Sequence, residues 1–202
     1  MAAKPKTTDA ERGRYLMSRG LVELTCSHVF HASIIMRLRR VEDTALPFPM
    51  GTDGIRLLFN PAMCAQFSVA EVTGILGHEA LHVAGRHPLR RGGRDLMKWN
   101  LACDAVDNDM VIASGLKLPT GCVPAISDET PEHLYDAPPP QLKKFAGDLF
   151  DQMLDPTHED GRPLSKAERQ ALEQETKQWV EAAANAAVVA SATNSKWRHA
   201  FA

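Results

Sequence analysis

The segment His78-Glu79-Ala80-Leu81-His82 sets two imidazoles four residues apart with a carboxylate beside the first. On an α-helix four residues make slightly more than one turn. The two rings then project about 40° apart on one face and can reach a single cation. Zn²⁺ suits such a pair, because it takes imidazole nitrogens in tetrahedral sets. Glu79 falls about 100° around the helix from His78. It stands beside the coordination sphere rather than in it, the place of a general base acting on zinc-activated water. Hydrolysis assisted by a metal is the chemistry this spacing allows.

Two histidines leave a catalytic zinc site short of a ligand, since three protein donors are usual. The leading candidate is Asp104. With Asn100 and Asn108 it forms an i, i+4, i+8 series, so a carboxylate lies between two carboxamides on one helix face. His87 competes for the same role. A related spacing, HExxHxxGxxH, supplies its third histidine later on; here Gly85 fits the glycine, but His87 comes one residue early and Pro88 takes its place. Asp107 and Asp109 are expected to face elsewhere. Arg90, Arg91 and Arg94 surround Gly92-Gly93 and read as a brace between helices, through Asp104 or Asp107, in preference to a clamp on a substrate carboxylate. His28 and His31 read as packing or surface residues, and Trp99 as a core anchor. Tyr135, His133 and His87 are weak candidates for an oxyanion donor.

These residues need rigid carriers. Ser68-Val69-Ala70-Glu71 is a capping box that starts a helix at about residue 69, and the apolar run from Val72 to Ala84 carries it to about 86. Between Glu71 and Arg86 the only charge is Glu79, which is costly in so apolar a stretch without a task. A loop over residues 87–94 leads to a second helix, from an N-cap at Asp95 to about Ser114. Upstream, residues 8–31 read as helical with a break near Gly20. Met36, Leu38 and Val41 alternate with Arg37, Arg39 and Arg40, which predicts a strand over 34–41. Asp53-Gly54 is a turn before a second strand, Ile55 to Phe59, and Asn60-Pro61 opens a short helix. Residues 115–140 are mostly loop with a helical turn near Pro131–Tyr135. Residues 141–155 read as helix, 155–161 as polar loop, and about 165–190 as a long helix.

With 202 residues, 44% of them hydrophobic, the chain can bury a substantial core. The formal net charge of -2 argues against a nucleic-acid partner. Arg37, Arg39, Arg40 and the 90–94 loop lack the interleaved aromatics of a single-strand binder. Cys26, Cys64, Cys103 and Cys122 are scattered with no CxxC pair, as in a reduced cytoplasmic protein. The first residues carry no apolar signal region, and no apolar run reaches the roughly 20 residues of a membrane span.

The chain resembles the bacterial putative metallopeptidase domain usually found N-terminal to a von Willebrand factor A-like domain. The resemblance rests on Thr52-Asp53-Gly54, Phe59-Asn60-Pro61, Gly77 to His82, the segment His87-Pro88-Leu89-Arg90-Arg91-Gly92-Gly93-Arg94-Asp95, and Trp99 to Asp104 with Asn108. It covers residues 20–136 well and the C-terminal helix loosely. It implies a zincin-like α+β fold, mostly helical with a small sheet. It implies Zn²⁺ held by His78, His82 and Asp104, and Glu79 as catalytic acid/base. The expected reaction is peptide-bond hydrolysis on a peptide or protein substrate. The alternative is a metal-stabilised module that binds a protein partner through its C-terminal helix. The expected organisation is a core over 8–136 and a helical extension over 137–202. No Asp-x-Ser-x-Ser motif is found, so the von Willebrand factor A-like partner domain is expected to be absent.

Overall fold

The computed structural model describes residues 7–145 and 151–200. Thr8 opens the first helix, α1 (Asp9–Ser27), with a reciprocal capping box to Glu11. The expected break at Gly20 does not occur. Gly20 is buried in mid-helix, where a Cβ would stand 3.0 Å from Val72 Cγ1 and 3.1 Å from Leu76 Cδ1. The glycine serves close helix packing, not a bend. The chain turns instead at His28 (φ -134°, ψ 66°) into α2 (Val29–Ile35).

The strand expected over 34–41 is therefore shorter, β1 (Arg39–Glu42). Ile34, Ile35 and Leu38 are all buried, a spacing that suits a helical turn as well as alternation does. Next come β2 (Met50–Thr52), which the sequence did not signal, and β3 (Arg56–Phe59). Between them Gly54 takes φ 86°, and Asp53 Oδ1 accepts the N–H groups of Ile55 at 2.9 Å and Arg56 at 2.6 Å. The sheet order is β1-β3-β2, with β1 parallel and β2 antiparallel to β3.

Asn60 caps α3 (Pro61–Cys64), and the Ser68–Glu71 box caps α4 (Val69–Ala84). The loop after α4 holds a turn of helix, α5 (His87–Arg90), entered through Arg86 in the left-handed region at φ 55°. Asp95 caps α6 (Leu96–Ala113), accepting from Lys98 N at 2.9 Å. Then follow α7 (Pro131–Asp136), α8 (Pro140–Lys143) and the long α9 (Lys166–Ala200). The helix expected over 141–155 ends at Lys143; residues 146–150 of that span lie outside the described residues. From Asp151 the chain is extended along β2. Asp151 bridges Met50 in parallel, Gln152 N donates to Met50 O at 3.3 Å, and Leu154 N donates to Thr52 O at 2.8 Å. The β2 edge offers backbone partners there, and Pro156 disfavours helix at the residue before it.

The architecture is α+β and mostly helical, with α4 at its centre. Every residue from Val72 to Val83 is buried, among them Ile75, Leu76 and Ala80 against Leu24, Ile34, Ile35 and Leu57. A helix apolar all round is one that neighbours enclose. Here α1, α2, α6, α9 and β2 do so. No helix among the described residues is long and apolar enough to cross a membrane.

Candidate metal centre

The middle of α4 carries the two histidines inward. His78 and His82 are fully buried, and their Nε2 atoms stand 2.9 Å apart. From α6, Asp104 Oδ1 comes within 3.6 Å of His78 Nε2 and 3.2 Å of His82 Nε2. Asn100, one turn earlier, donates from Nδ2 to Asp104 Oδ2 at 2.8 Å and so fixes the carboxylate. Asn108, one turn later, donates to Val123 O at 2.8 Å and anchors the following loop instead. The expected i, i+4, i+8 face is therefore buried, but only its first two members work as a pair.

A fourth group joins them. Asp151 Oδ2 lies 3.4 Å from His78 Nε2 and 3.2 Å from His82 Nε2, with its side chain buried. The sequence reading did not single out Asp151. It placed the residue in a helix, and a lone aspartate nearly fifty residues beyond Asp104 has no spacing signal to reveal it.

These four donors fit a cation. Their five measured separations run from 2.9 to 3.6 Å. A tetrahedron with bonds of roughly 2 Å has edges of about 3.3 Å. Without a cation, two buried carboxylates would face each other across two imidazoles. Burial acts to lower the His78 and His82 pKa values, but Asp151 and Asp104 override it. They hold His78 well above its ordinary value and raise His82 to about 10. A cation takes the place of those protons.

The other ring nitrogen of His82 is held as well. Its Nδ1 is 3.3 Å from Asp107 Oδ2 and 3.1 Å from His87 Nδ1, and His87 Nδ1 is itself 3.3 Å from Asp107 Oδ2. A proton on His82 Nδ1, donated to either neighbour, leaves the Nε2 lone pair facing the four-donor cluster. Asp107, expected to face away, is thus a buried partner of the second histidine. Three residues along a helix from Asp104 is still the same side. His87 supports His82 from behind and contributes nothing to the four-donor set.

Glu79 is fully buried next to His78. Neither of its carboxylate oxygens has a hydrogen-bond partner among the described residues. Burial pushes its pKa up to about 8; the charge of Asp151 adds to this, and His82 and His78 oppose it. A bare carboxyl in such a place costs several kcal/mol unless a positive charge or a reacting group uses it.

The arginine loop is a brace, though not to the residues expected. Arg90 pairs with Glu132 of α7 through three bonds to the carboxylate and donates from Nη1 to Gly85 O at 2.8 Å. Arg91 pairs with Asp155, and Arg94 stacks 4.7 Å over the Trp99 ring. Trp99 is the expected anchor: fully buried, it donates from Nε1 to His87 O at 3.0 Å. Of the weak oxyanion candidates, Tyr135 accepts from Asp95 N at 3.0 Å through its hydroxyl oxygen, and His133 sits exposed against Glu129. His31 is buried edge-on to Phe30 at 5.5 Å, a packing role.

No curated protein and no solved structure matches the chain. A family model described as a putative metallopeptidase domain matches residues 17–199, a span that contains all four donors, Glu79 and Asp107. By a match over nearly its whole length, with a buried two-histidine, two-aspartate centre inside it, the chain belongs to the putative metallopeptidase domain family.

Proposed function

We propose that the protein is a zinc-dependent metallopeptidase of zincin-like architecture with Glu79 as its general base. The observation that carries the reading is the pairing of a close set of four buried nitrogens and oxygens with a buried carboxylate, without a hydrogen-bond partner among the described residues, one residue from the first histidine. Two imidazoles and carboxylate oxygens at these separations favour Zn²⁺ over Ca²⁺ or Mg²⁺, which prefer more oxygen donors. Bound there, Zn²⁺ would polarise a scissile carbonyl and make water acidic near neutral pH. His78 and His82 supply nitrogen donors from a rigid helix, and Asp104, steadied by Asn100, supplies oxygen from a second helix. Asp107 holds the His82 tautomer. Glu79 takes a proton from the attacking water and hands it to the departing amine, because no other uncommitted carboxyl adjoins the histidines on α4.

One observation favours a second reading, a metal-stabilised interaction module. Four protein donors close a zinc site, and closure with full burial is the habit of structural zinc. The Glu79→Gln variant separates the two. On the enzymatic reading, zinc content stays near one per chain, thermal stability is not lost, and cleavage of a peptide library falls at least about a hundredfold. Wild-type protein that holds zinc yet cleaves nothing would establish the module instead. Zinc retained in the His78→Ala, His82→Ala double variant would remove the site altogether.

A further inference from the structure

A site closed by four protein donors has no place for a water or a substrate oxygen, so one donor must leave if the centre is catalytic. The structure assigns that part to Asp151. We infer that the β2 edge and the fourth donor position together form a binding site for an extended peptide strand. In the resting chain residues 151–154 occupy that site from within. The inference rests on the metallopeptidase reading and concerns what its substrate displaces.

The four donors are not equally held. His78 and His82 belong to the central helix, and Asp104 to α6 with Asn100 clamped on its free oxygen. Asp151 rides on a short extended segment joined to the sheet by an isolated bridge, not a full ladder. Its Oδ1 has no hydrogen-bond partner among the described residues. The segment's backbone attachments are ones that another strand could reproduce, and the Met153 side chain, fully buried against Trp99 and Cys103, fills a place that an apolar side chain of the incoming strand would take. Gln152 N and Leu154 N donate to carbonyls of β2, and backbone pairing of this kind is indifferent to side chains. Met153 N donates to Asn100 Oδ1 at 2.8 Å, the same carboxamide that steadies Asp104. An incoming strand that takes the β2 edge therefore competes for the backbone contacts of 151–154 and draws Asp151 off the centre.

The edge itself is shaped for a chain at close range. A Cβ at Gly51 would stand 2.3 Å from Gln152 O, so any larger residue in the middle of β2 would hold a strand away. Two side-chain contacts keep the resident segment in place at its far end: Arg91 with Asp155, and Arg56 Nη2 with Thr157 Oγ1 at 2.8 Å. Both lie beyond the bridge, so the segment can loosen at Asp151 while still tethered.

The test uses the full chain loaded with Co²⁺, whose visible spectrum reports coordination, and acetohydroxamate as a small probe of an open position. Wild type should bind Co²⁺ with a spectrum that millimolar acetohydroxamate barely changes. Asp151→Ala should keep Co²⁺ with affinity reduced about ten- to a hundredfold, respond to acetohydroxamate, and cleave peptides faster than wild type. Asp155→Ala leaves all four donors in place and removes the nearer of the two tethers, so it should show an intermediate probe response and faster hydrogen exchange at Leu154 N. An equal probe response in wild type and both variants would overturn the inference while leaving the metal centre standing. So would loss of Co²⁺ from Asp151→Ala as complete as from His78→Ala, which would make Asp151 a permanent donor. Failure of wild type to bind Co²⁺ or Zn²⁺ at all would instead sink the metallopeptidase reading, and this inference with it.

Discussion

Asp107, His87 and Asp104 should differ in what they contribute to metal affinity, and the structure sets the order. Asp104→Ala removes a donor atom that lies 3.2 and 3.6 Å from the two histidine nitrogens, and it strands the Asn100 amide in a dry site. Loss of this helix-held donor should exceed a hundredfold, or more than about 2.7 kcal/mol. Asp107→Asn keeps shape and removes charge. Outer partners of a ligating histidine are worth about 10–100-fold in metal affinity. The contacts here are 3.3 Å, at the long end for a charged hydrogen bond, and His87 offers His82 Nδ1 a second partner at 3.1 Å. The effect of Asp107→Asn should therefore fall near tenfold, about 1.4 kcal/mol. His87→Ala should cost less still, because Asp107 then keeps His82 to itself. Competition with a chromogenic chelator measures all three on one scale. If His87→Ala strips the metal and Asp104→Ala does not, the donor assignment is wrong and the centre is an all-histidine one.

Other outcomes follow from single residues. His31 is neutral in the fold because burial, helped by His28, lowers its pKa to about 4 from an ordinary 6.5. Its stabilising effect is present above pH 6.5 and is lost as pH falls through 4, by on the order of 3 kcal/mol once the folded histidine is protonated as well. Urea midpoints at pH 7 and pH 4.5 should differ less in His31→Leu than in wild type; equal losses would refute this. Gly13→Ala should destabilise far more than Gly20→Ala, since a Cβ at 13 meets the Pro61 carbonyl oxygen at 1.7 Å while one at 20 meets nothing nearer than Val72 Cγ1 at 3.0 Å, Leu76 Cδ1 at 3.1 Å and Thr73 N at 3.3 Å. Better helix propensity, about 1 kcal/mol, should nearly offset the second change, and chemical denaturation reads both. Zinc binding at pH 7 should release protons, because the metal-free centre holds them on His78 and on His82, whose pKa of about 10 means that affinity climbs with pH. Titration calorimetry in two buffers of different ionisation enthalpy counts the protons, and a count of zero would contradict the electrostatics of the site.

Local signals in the sequence carried far where chemistry and period coincided. The Ser68–Glu71 capping box, the α4 and α6 spans within a few residues and the Asp53-Gly54 turn were legible, and so was the meeting of His78, His82 and Asp104. The misreadings share one cause: they depend on tertiary partners. Gly20 read as a break because a mid-helix glycine has no local reason to be there; its reason is Val72 and Leu76 across an interface. Ile34, Ile35 and Leu38 fit two periods, and packing between α4 and α9 chose the helical one for the first two. Residues 151–154 have no alternation worth noting. They become extended because the β2 edge lies open to them, and only that placement brings Asp151 to the histidines. Asp107 lies three residues from Asp104 on the same side of α6, and the second His82 nitrogen that it meets there leaves no signal in the sequence.

Charge counting joins the two inferences about the centre. A divalent cation with both Asp104 and Asp151 is neutral as a unit, so the Glu79 carboxylate beside it would be an uncompensated charge in a site closed to water. With Asp104 alone, the cation keeps one positive charge, and an ionised Glu79 balances it. The same departure of Asp151 thus does two things at once. It empties a coordination position, and it makes a charged Glu79 electrostatically tolerable in the place where the proposed base must act. A permanent structural metal would give the opposite economy of charge: Asp151 would stay, and Glu79 would serve better as glutamine. Thermal stability of Glu79→Gln tests the coupling of the two carboxylates even before a substrate is known. A gain of several degrees in the metal-loaded wild-type background, vanishing in Asp151→Ala, is what a residue held at a cost by Asp151 should show; no change in either background would mean that Asp151 and Glu79 do not sense each other.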